Sequence, residues 1–240
     1  MDKKVLIIIY THGDEKIGAE VLKRLKLKGL NRFFDCLIAN PKAAEMNTRF
    51  IDADLNRSYP GKKNSNIYEK RIAFENLELA KKYKFIIDIH EAISGINDFI
   101  IIPREKDVNL FPLNLVNLET VLFWPDPKGP IGQILENSIE LEFGTKGRNR
   151  NDIILNAEKI IEDFIKNIYS ETKKEEFTDK QFYFVYGKLM TDEFLDEEQK
   201  LVDFQKTNVK GEEFYPLLVG QYRNIGIKCY KMKLLERVDK

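Results

Sequence analysis

The chain holds two histidines, His12 and His90, and each follows a short apolar run: Val5 to Tyr10 before the first, Phe85 to Ile89 before the second. Glu15 lies three residues beyond His12, with Gly13 between them. At i and i+3 around a helix start, two side chains can converge on one point. Two imidazoles and one carboxylate, with a fourth position left for water, form a catalytic zinc arrangement. His12, Glu15 and His90 are therefore the candidate ligands of one Zn2+ per chain. A His-x-x-Glu pair alone has low specificity, and a single histidine at a strand end is more often a satisfied structural one. The weight rests on the combination.

Three further polar groups need an account. Asp88, two residues before His90, either accepts the second imidazole N–H of that histidine or caps the turn. Between Asn47 and Arg57, two arginines, two aspartates and two asparagines are packed around Phe50, Ile51 and Leu55. Arginine is the side chain suited to bidentate carboxylate recognition, so a metal beside Arg49 and Arg57 fits a substrate with a carboxylate near a scissile carbonyl. Glu140 and Glu142 stand inside an apolar strand, where a carboxylate is costly unless paired or functional. Desolvation raises the pKa of such a group and suits a general base that later acts as an acid. Spacing does not choose between the two. Lys146, Arg148 and Arg150 follow; they either read an acidic group on the substrate or form a basic exposed turn, and the plainer reading is favoured.

The elements that position these residues alternate. Val5 to Tyr10 is a buried strand, and the helix after it shows Ile17, Val21, Leu22 and Leu25 on one face before Gly29 ends it. Phe33 to Ala39 is a second strand. Residues 42–66 show no period and read as a long functional loop. Ile67 to Lys82 is an amphipathic helix, Phe85 to Ile89 a strand ending at His90, and Phe99 to Ile102 another. The segment from Pro103 to Pro130 carries five of the eight prolines and the sole tryptophan, Trp124; it reads as an extended surface excursion. Ile131 to Asn137 reads as a short helix, Ile139 to Phe143 as a strand, and Asp152 to Tyr169 as the clearest helix. A polar linker, Ser170 to Lys180, leads to strands at Phe182 to Val185, Lys200 to Phe204, Phe214 to Val219 and Ile225 to Leu234. The pattern predicts an α/β catalytic domain over residues 1–170 and a small β-rich module over residues 180–240. Candidate ligands at strand C-terminal ends match where open α/β sheets place their sites.

Length and composition bound the answer. The 240 residues are 43% aliphatic or aromatic, and Lys+Arg and Asp+Glu both number 39. Balanced charge excludes no small-molecule enzyme but gives no reason to expect nucleic acid or an anionic membrane as a partner. No window approaches the ~20 apolar residues of a membrane span, and the first apolar run is too short for a signal peptide. Cys36 and Cys229 both sit in apolar runs and are expected to be buried free thiols. A soluble, cytoplasmic protein is expected.

Taken together, Thr11-His12-Gly13-Asp14-Glu15, Thr48-Arg49-Phe50-Ile51-Asp52-Ala53-Asp54-Leu55-Asn56-Arg57, Asp88-Ile89-His90 and Glu142-Phe143-Gly144 resemble the succinylglutamate desuccinylase/aspartoacylase family, relatives of the zinc carboxypeptidases. Arg150-Asn151-Asp152-Ile153 and Tyr215-Pro216 extend the likeness toward the C-terminus, and Asp-Leu-Asn-Arg is its most diagnostic part. The resemblance implies a zinc-carboxypeptidase-like mixed sheet flanked by helices, with a small C-terminal β-rich module. It implies that His12, Glu15 and His90 bind zinc, that Arg49 polarises the scissile carbonyl, and that Asn56 and Arg57 grip an α-carboxylate. It selects Glu142 over Glu140 as general base and acid, and it suggests a tyrosine from the C-terminal module, Tyr222, at the substrate. The chain departs from the family where Ile9-Tyr10 stands in place of Gly-Gly, Asp14 in place of Asn, and Glu91 follows the third ligand. The reaction implied is hydrolysis of the amide of a small N-acyl amino acid. A zinc carboxypeptidase acting on peptides is the nearest rival. A non-catalytic metal-binding module is disfavoured, because structural zinc sites usually have four protein ligands.

Overall fold

The computed structural model describes residues 4–103, 110–125, 129–170, 176–193 and 200–236. Its strands are β1 (Val5–Ile9), β2 (Phe34–Ile38), β3 (Phe85–Ala92), β4 (Phe99–Ile102), β5 (Thr120–Phe123), β6 (Ser138–Gly144), β7 (Gln181–Met190), β8 (Thr207–Val209), β9 (Glu212–Leu217) and β10 (Ile227–Leu234). Its helices are α1 (Ile17–Leu27), α2 (Pro41–Met46), α3 (Tyr68–Ala80) and α4 (Arg150–Tyr169). The strands form one mixed sheet in the order β2-β1-β3-β6-β4-β5-β7-β10-β9-β8. Pairing is parallel from β2 through β6, antiparallel between β6 and β4, parallel through β5 to β7, and antiparallel beyond. This is the mixed sheet flanked by helices that the sequence predicts. Strands read as a separate C-terminal module continue that sheet, with β7 in parallel register beside β5 from Thr120↔Gln181 to Phe123↔Phe184.

Alternation along the central strands divides their two faces. Val5, Ile7 and Ile9 of β1, Ile87 and Ile89 of β3, and Leu141 and Phe143 of β6 pack against α1 and α4. Leu6, Ile8 and Ile86 pack on the opposite side against Ile72, Ala73 and Leu77 of α3. Asp88, His90, Glu140 and Glu142 follow on the α3 side, since they keep the same parity as Ile86. A strand buried on both faces has no room for alternating polarity, which explains the unbroken apolar runs.

Several expectations are corrected. Strand β3 runs on to Ala92, so His90 lies within it and not at its end. The loop expected over residues 42–66 contains α2, capped by the Asn40 side chain on the Ala43 N–H, and a 3-10 turn at Leu55–Arg57 capped by Asp54. These elements are set by capping chemistry, which leaves no hydrophobic period. The helix expected at Ile131 to Asn137 is a single 3-10 turn, Ile131–Gln133. Lys200 to Phe204 is irregular, and the short strand lies later, at Thr207–Val209. The excursion from Pro103 to Pro130 contains β5, and its residues 104–109 and 126–128 lie outside the described ones, as do 171–175 of the expected linker. Both cysteines are free, but Cys36 is exposed because β2 is an edge strand of the sheet; Cys229 is buried. Among the described residues, no helix is long and apolar enough to cross a membrane.

The 47–57 loop is held by a reciprocal clasp with α3. Glu69, fully buried in the first turn of α3, accepts from the backbone N–H groups of Ile51 (2.7 Å), Asp52 (3.0 Å) and Ala53 (3.0 Å), and from Asn40 Nδ2 (3.2 Å). Asp52 returns the contact by accepting from the Tyr68 N–H at 2.7 Å, at the start of α3. Hydrogen bonds to a charged group contribute about 1.5–3 kcal/mol each and are not additive. Glu69→Ala is expected to lower unfolding free energy by about 3 kcal/mol or more, read as a lower denaturant midpoint at unchanged slope. A change below about 0.5 kcal/mol, the scale of an inert surface substitution, would show that the clasp does not hold the loop.

Candidate active site

The site is built where three neighbouring strands bring their polar residues together. Strands β3 and β6 pair in register, His90↔Glu142 and Asp88↔Glu140. Thr11, at the end of β1, donates its hydroxyl to the Asp88 carboxylate at 2.9 and 3.0 Å. Between β1 and Thr11 the chain turns at Tyr10, whose φ of 58° lies in the left-handed region. Gly13 then passes against α2 so closely that a Cβ would fall 2.1 Å from the Ala43 carbonyl carbon. Only glycine fits there, and the Gly13 N–H donates to the Arg49 carbonyl at 3.2 Å, which ties the His12 turn to the arginine loop. Gly144 has a similar cause: a Cβ would meet the Asn97 oxygen at 2.6 Å, so β6 can end against that turn only with Glu142 followed two residues later by glycine.

Glu15 joins the two imidazoles. Its Oε1 is 2.6 Å from His12 Nδ1 and its Oε2 is 3.1 Å from His90 Nδ1. Each ring turns its other nitrogen to a second carboxylate: His12 Nε2 is 3.2 Å from Asp54 Oδ1, and His90 Nε2 is 3.2 Å from Asp88 Oδ2. The Asp88 contact is close but out of line, and His90 Nε2 has no aligned hydrogen-bond partner. All three residues are buried, and one donor atom from each lies within 4.8 Å of the others. Tetrahedral zinc with bonds near 2.1 Å needs donors about 3.4 Å apart. The His90 Nδ1-to-Glu15 spacing of 3.1 Å is close to that value, the His12 spacing of 2.6 Å is that of a hydrogen bond and must open to admit an ion, and carboxylates behind the rings are the usual companions of metal-ligating histidines. The donor set fits a zinc ion.

Without a metal, the carboxylates hold protons on the rings. Burial lowers the His12 pKa, but Glu15 and Asp54 outweigh it and bring the group up to about 9. His90 is likewise raised well above the usual imidazole value, burial being overcome by Asp88 and Glu15. Glu15 is held well below the usual carboxylate range: burial opposes this, and His12 and His90 prevail. Burial pushes Glu142 in the opposite direction, up to about 7; His90 pulls it down while Glu15 and Glu140 push it further up. Glu140 is also raised, mainly by burial.

The remaining candidates gather around this cluster. Arg49 reaches Glu15 (Nη1–Oε1, 3.6 Å) and Asp54 (Nη2–Oδ2, 3.4 Å). Asn56 Nδ2 donates to Glu140 Oε2 at 3.3 Å, and Arg57 Nη1 donates to the Asn56 carbonyl at 2.9 Å. Glu142 has neither a hydrogen bond nor an ion pair among the described residues, whereas Glu140 is engaged by Asn56. The structure thus separates two glutamates that spacing leaves equivalent. Tyr222 lines the same cleft, its turn fixed by Gln221 Oε1, which accepts from the Ser94 N–H (3.1 Å) and hydroxyl (3.0 Å). Seven of the eight residues singled out from the sequence, His12, Glu15, Arg49, Asn56, Arg57, Glu142 and Tyr222, line it. The eighth, His90, lies behind the lining, against Glu15.

Lys146, Arg148 and Arg150 do not line it. Arg148 grips Asp98, with Nη2 3.0 Å from Oδ2, and also donates to the Gly144 carbonyl at 2.8 Å. Arg150 binds Glu91 at 3.0 and 3.2 Å. Glu91 in turn accepts from the N–H groups of Lys16 and Ile17, where α1 begins. The unusual residue after His90 is therefore the brace between α1 and α4 that keeps Glu15 in place. Residues that sequence reasoning did not single out are Asp54 as the His12 partner, Glu69 as the loop clasp, and the apolar wall of Ile101, Trp124, Pro130 and Leu218. The only advance signal for that wall was the lone tryptophan in a proline-rich stretch.

Comparison with known proteins gives concordant results. Residues 1–168 match the family model described as the succinylglutamate desuccinylase/aspartoacylase catalytic domain. A probable aspartoacylase of Trichodesmium erythraeum is 28% identical over 196 residues, covering 68% of this chain and 65% of that protein. An N-acyl-aromatic-L-amino acid amidohydrolase (carboxylate-forming) of Xenopus laevis is 26% identical over 193 residues, covering 66% and 61%. The chain spans less than two-thirds of the length of each of these relatives. Among solved structures, the succinylglutamate desuccinylase from Chromobacterium violaceum superposes with a TM-score of 0.77 at 17% identity, covering 98% of this chain and 85% of that one. Murine aminoacylase 3 superposes with a TM-score of 0.73 at 18% identity, covering 97% and 95%.

Metal ligation requires neutral imidazoles, and against the pull of burial the neighbouring carboxylates push His12 up to about 9 and His90 well above the usual imidazole value. Zinc binding near neutral pH is therefore expected to displace a proton from each ring. Calorimetric titration in buffers of different ionisation enthalpy is expected to show proton release at pH 7.5. Affinity should fall by roughly tenfold per pH unit for each proton displaced as pH drops below 9. Uptake without proton release would mean that the metal bypasses the two histidines.

Proposed function

The chain belongs to the succinylglutamate desuccinylase/aspartoacylase family, and from that premise we propose that it is a zinc-dependent amidohydrolase that cleaves the amide of a small N-acyl amino acid. The observation that carries this reading is the meeting, in one cleft, of the His12–Glu15–His90 donor set, an unpartnered Glu142 beside His90, and the Arg49–Asn56–Arg57 group. Bound zinc, held by His12, Glu15 and His90, would supply Lewis acidity that polarises the scissile carbonyl and acidifies water.

The other steps belong to the chain's own side chains. Asn56 and Arg57 hold the substrate α-carboxylate, which fixes the amide relative to Glu142. Arg49 donates to the carbonyl oxygen as charge develops there, a contribution of about 10²–10³ in rate for one such donor. Glu142 takes a proton from the attacking water and passes it to the nitrogen as the C–N bond breaks, leaving a carboxylate and a free amine. A carboxyl pushed up to about 7 can both accept and return a proton near neutrality. Asp54 and Asp88 orient the two imidazoles, and Tyr222 closes the cleft from the C-terminal side.

Three donors beside an unpartnered general base support catalysis over a purely structural zinc site.

Zinc-loaded protein is expected to release free amine from a panel of N-acyl amino acids, followed with an amine-reactive dye. Glu142→Gln keeps the shape of the side chain but cannot take up the proton. Turnover should fall by about 10²–10⁴ while metal analysis still finds one zinc per chain. A variant rate within tenfold of wild type would remove Glu142 from the role. Inactivity of the zinc-loaded wild type across the panel would refute the hydrolase reading.

A further inference from the structure

The lining of the cleft bears on what the substrate carries. Besides His12, it includes four carboxylates, Glu15, Glu91, Glu140 and Glu142. Arg49 and Arg57 are the cations lining the cleft among the described residues. Both have work in the proposed reaction: Arg49 sits against Glu15 and Asp54, and Arg57 belongs to the α-carboxylate cradle. The three basic residues that follow Glu142 are the ones placed in sequence to read a second acidic group. Arg148 and Arg150 are committed to Asp98 and Glu91, and Lys146 is exposed outside the cleft. A second substrate carboxylate would enter a carboxylate-rich space in which the described residues offer it no cation of its own, a cost that selects against it.

The apolar wall of the cleft is formed by Ile101, Trp124, Pro130, Leu218 and the ring of Tyr222. Trp124 and Tyr222 also line an outer cleft, which shares Arg49 and Arg57 with the inner one. Behind them stands Tyr230, edge-on to Trp124 at 4.5 Å and to Tyr222 at 5.8 Å between ring centroids. The outer cleft continues along Val185, Ile225 and Ile227, and its one lysine, Lys188, is exposed with its ammonium over the Tyr230 ring. A group longer than a methyl therefore leaves the inner cleft past two fixed aromatic rings.

On the reading that this cleft binds an N-acyl amino acid, we propose that the preferred substrates carry neutral aromatic or branched aliphatic side chains, packed on Trp124 and Tyr222, and that aspartate and glutamate derivatives are excluded. Burying such a side chain on this wall gains apolar contact area, and the charged side chain gains none.

Trp124 is the sole tryptophan of the chain, so its emission reports occupancy of this wall without any turnover. N-acetyl-L-phenylalanine, N-acetyl-L-leucine, N-acetyl-L-aspartate and N-succinyl-L-glutamate are titrated into zinc-loaded Glu142→Gln protein, with Trp124 fluorescence and calorimetry in parallel. The neutral pair is expected to bind at least tenfold more tightly than the acidic pair and to shift the emission. In the zinc-loaded wild type, kcat/KM should favour the neutral pair by the same factor. Trp124→Leu should raise KM for N-acetyl-L-phenylalanine at least fivefold with kcat within twofold. Trp124→Phe should restore most of that loss, which separates packing on the substrate from damage to the fold. Equal or tighter binding of the acidic pair, or no binding of either, overturns the proposal. Preferential binding of the neutral pair without hydrolysis by the wild type would leave the specificity standing and remove the hydrolase reading instead.

Discussion

One carboxylate is shared between two imidazoles, an oxygen to each ring, and the rest of the molecule is arranged to keep it so. Glu15 stands just before α1, His12 just after β1, and His90 near the end of β3. Three anchor points from separate parts of the chain must agree to within a few tenths of an ångström. Parallel pairing of β1 with β3 supplies part of that agreement. The rest comes from polar groups outside the cluster: Thr11 on Asp88, Glu91 on the first N–H groups of α1, and Arg150 reaching across from α4 to Glu91. A buried charge group is stable only when every member is matched, so a loss at any of these points leaves another charge uncompensated.

The same logic extends to the arginine loop. It has little regular structure and few apolar contacts of its own, yet it carries Arg49, Asn56 and Arg57. Its shape is imposed by Glu69 from below and by Gly13 from the side, both acting through backbone groups. The side chains proposed to hold substrate are therefore not the ones that give the loop its conformation. This separation lets the loop present charged groups to a cleft without needing them for its own stability.

The legible part of this fold lay in its hydrophobic periods. The buried strands β1, β3, β4 and β6, and the helices α1, α3 and α4, are long or uniform enough to announce themselves, and the two histidines stand out by their rarity. Residue types in the site were readable because zinc chemistry needs imidazole and carboxylate and little else in the chain offers both. What stayed hidden depends on contacts distant in sequence. Spacing could not separate Glu140 from Glu142, because the distinction lies in Asn56 engaging only the former. Asp54, Glu69 and Trp124 gained their roles from neighbours 42, 16 and 106 residues away: His12, Ala53 and Tyr230. Short elements such as α2 and the 3-10 turns are held by caps and carry no period.

Tyr10 has a consequence of its own. A side chain with a Cβ in the left-handed region costs roughly 1–2 kcal/mol. This chain places a tyrosine there, packed against the apolar layer beneath α1. A glycine elbow would swing through many shapes before folding and could relax after it; an aromatic residue seated in that bend is restrained. The peptide leading to His12 is thereby aimed in advance, so that the imidazole faces Glu15 instead of riding on a wandering loop.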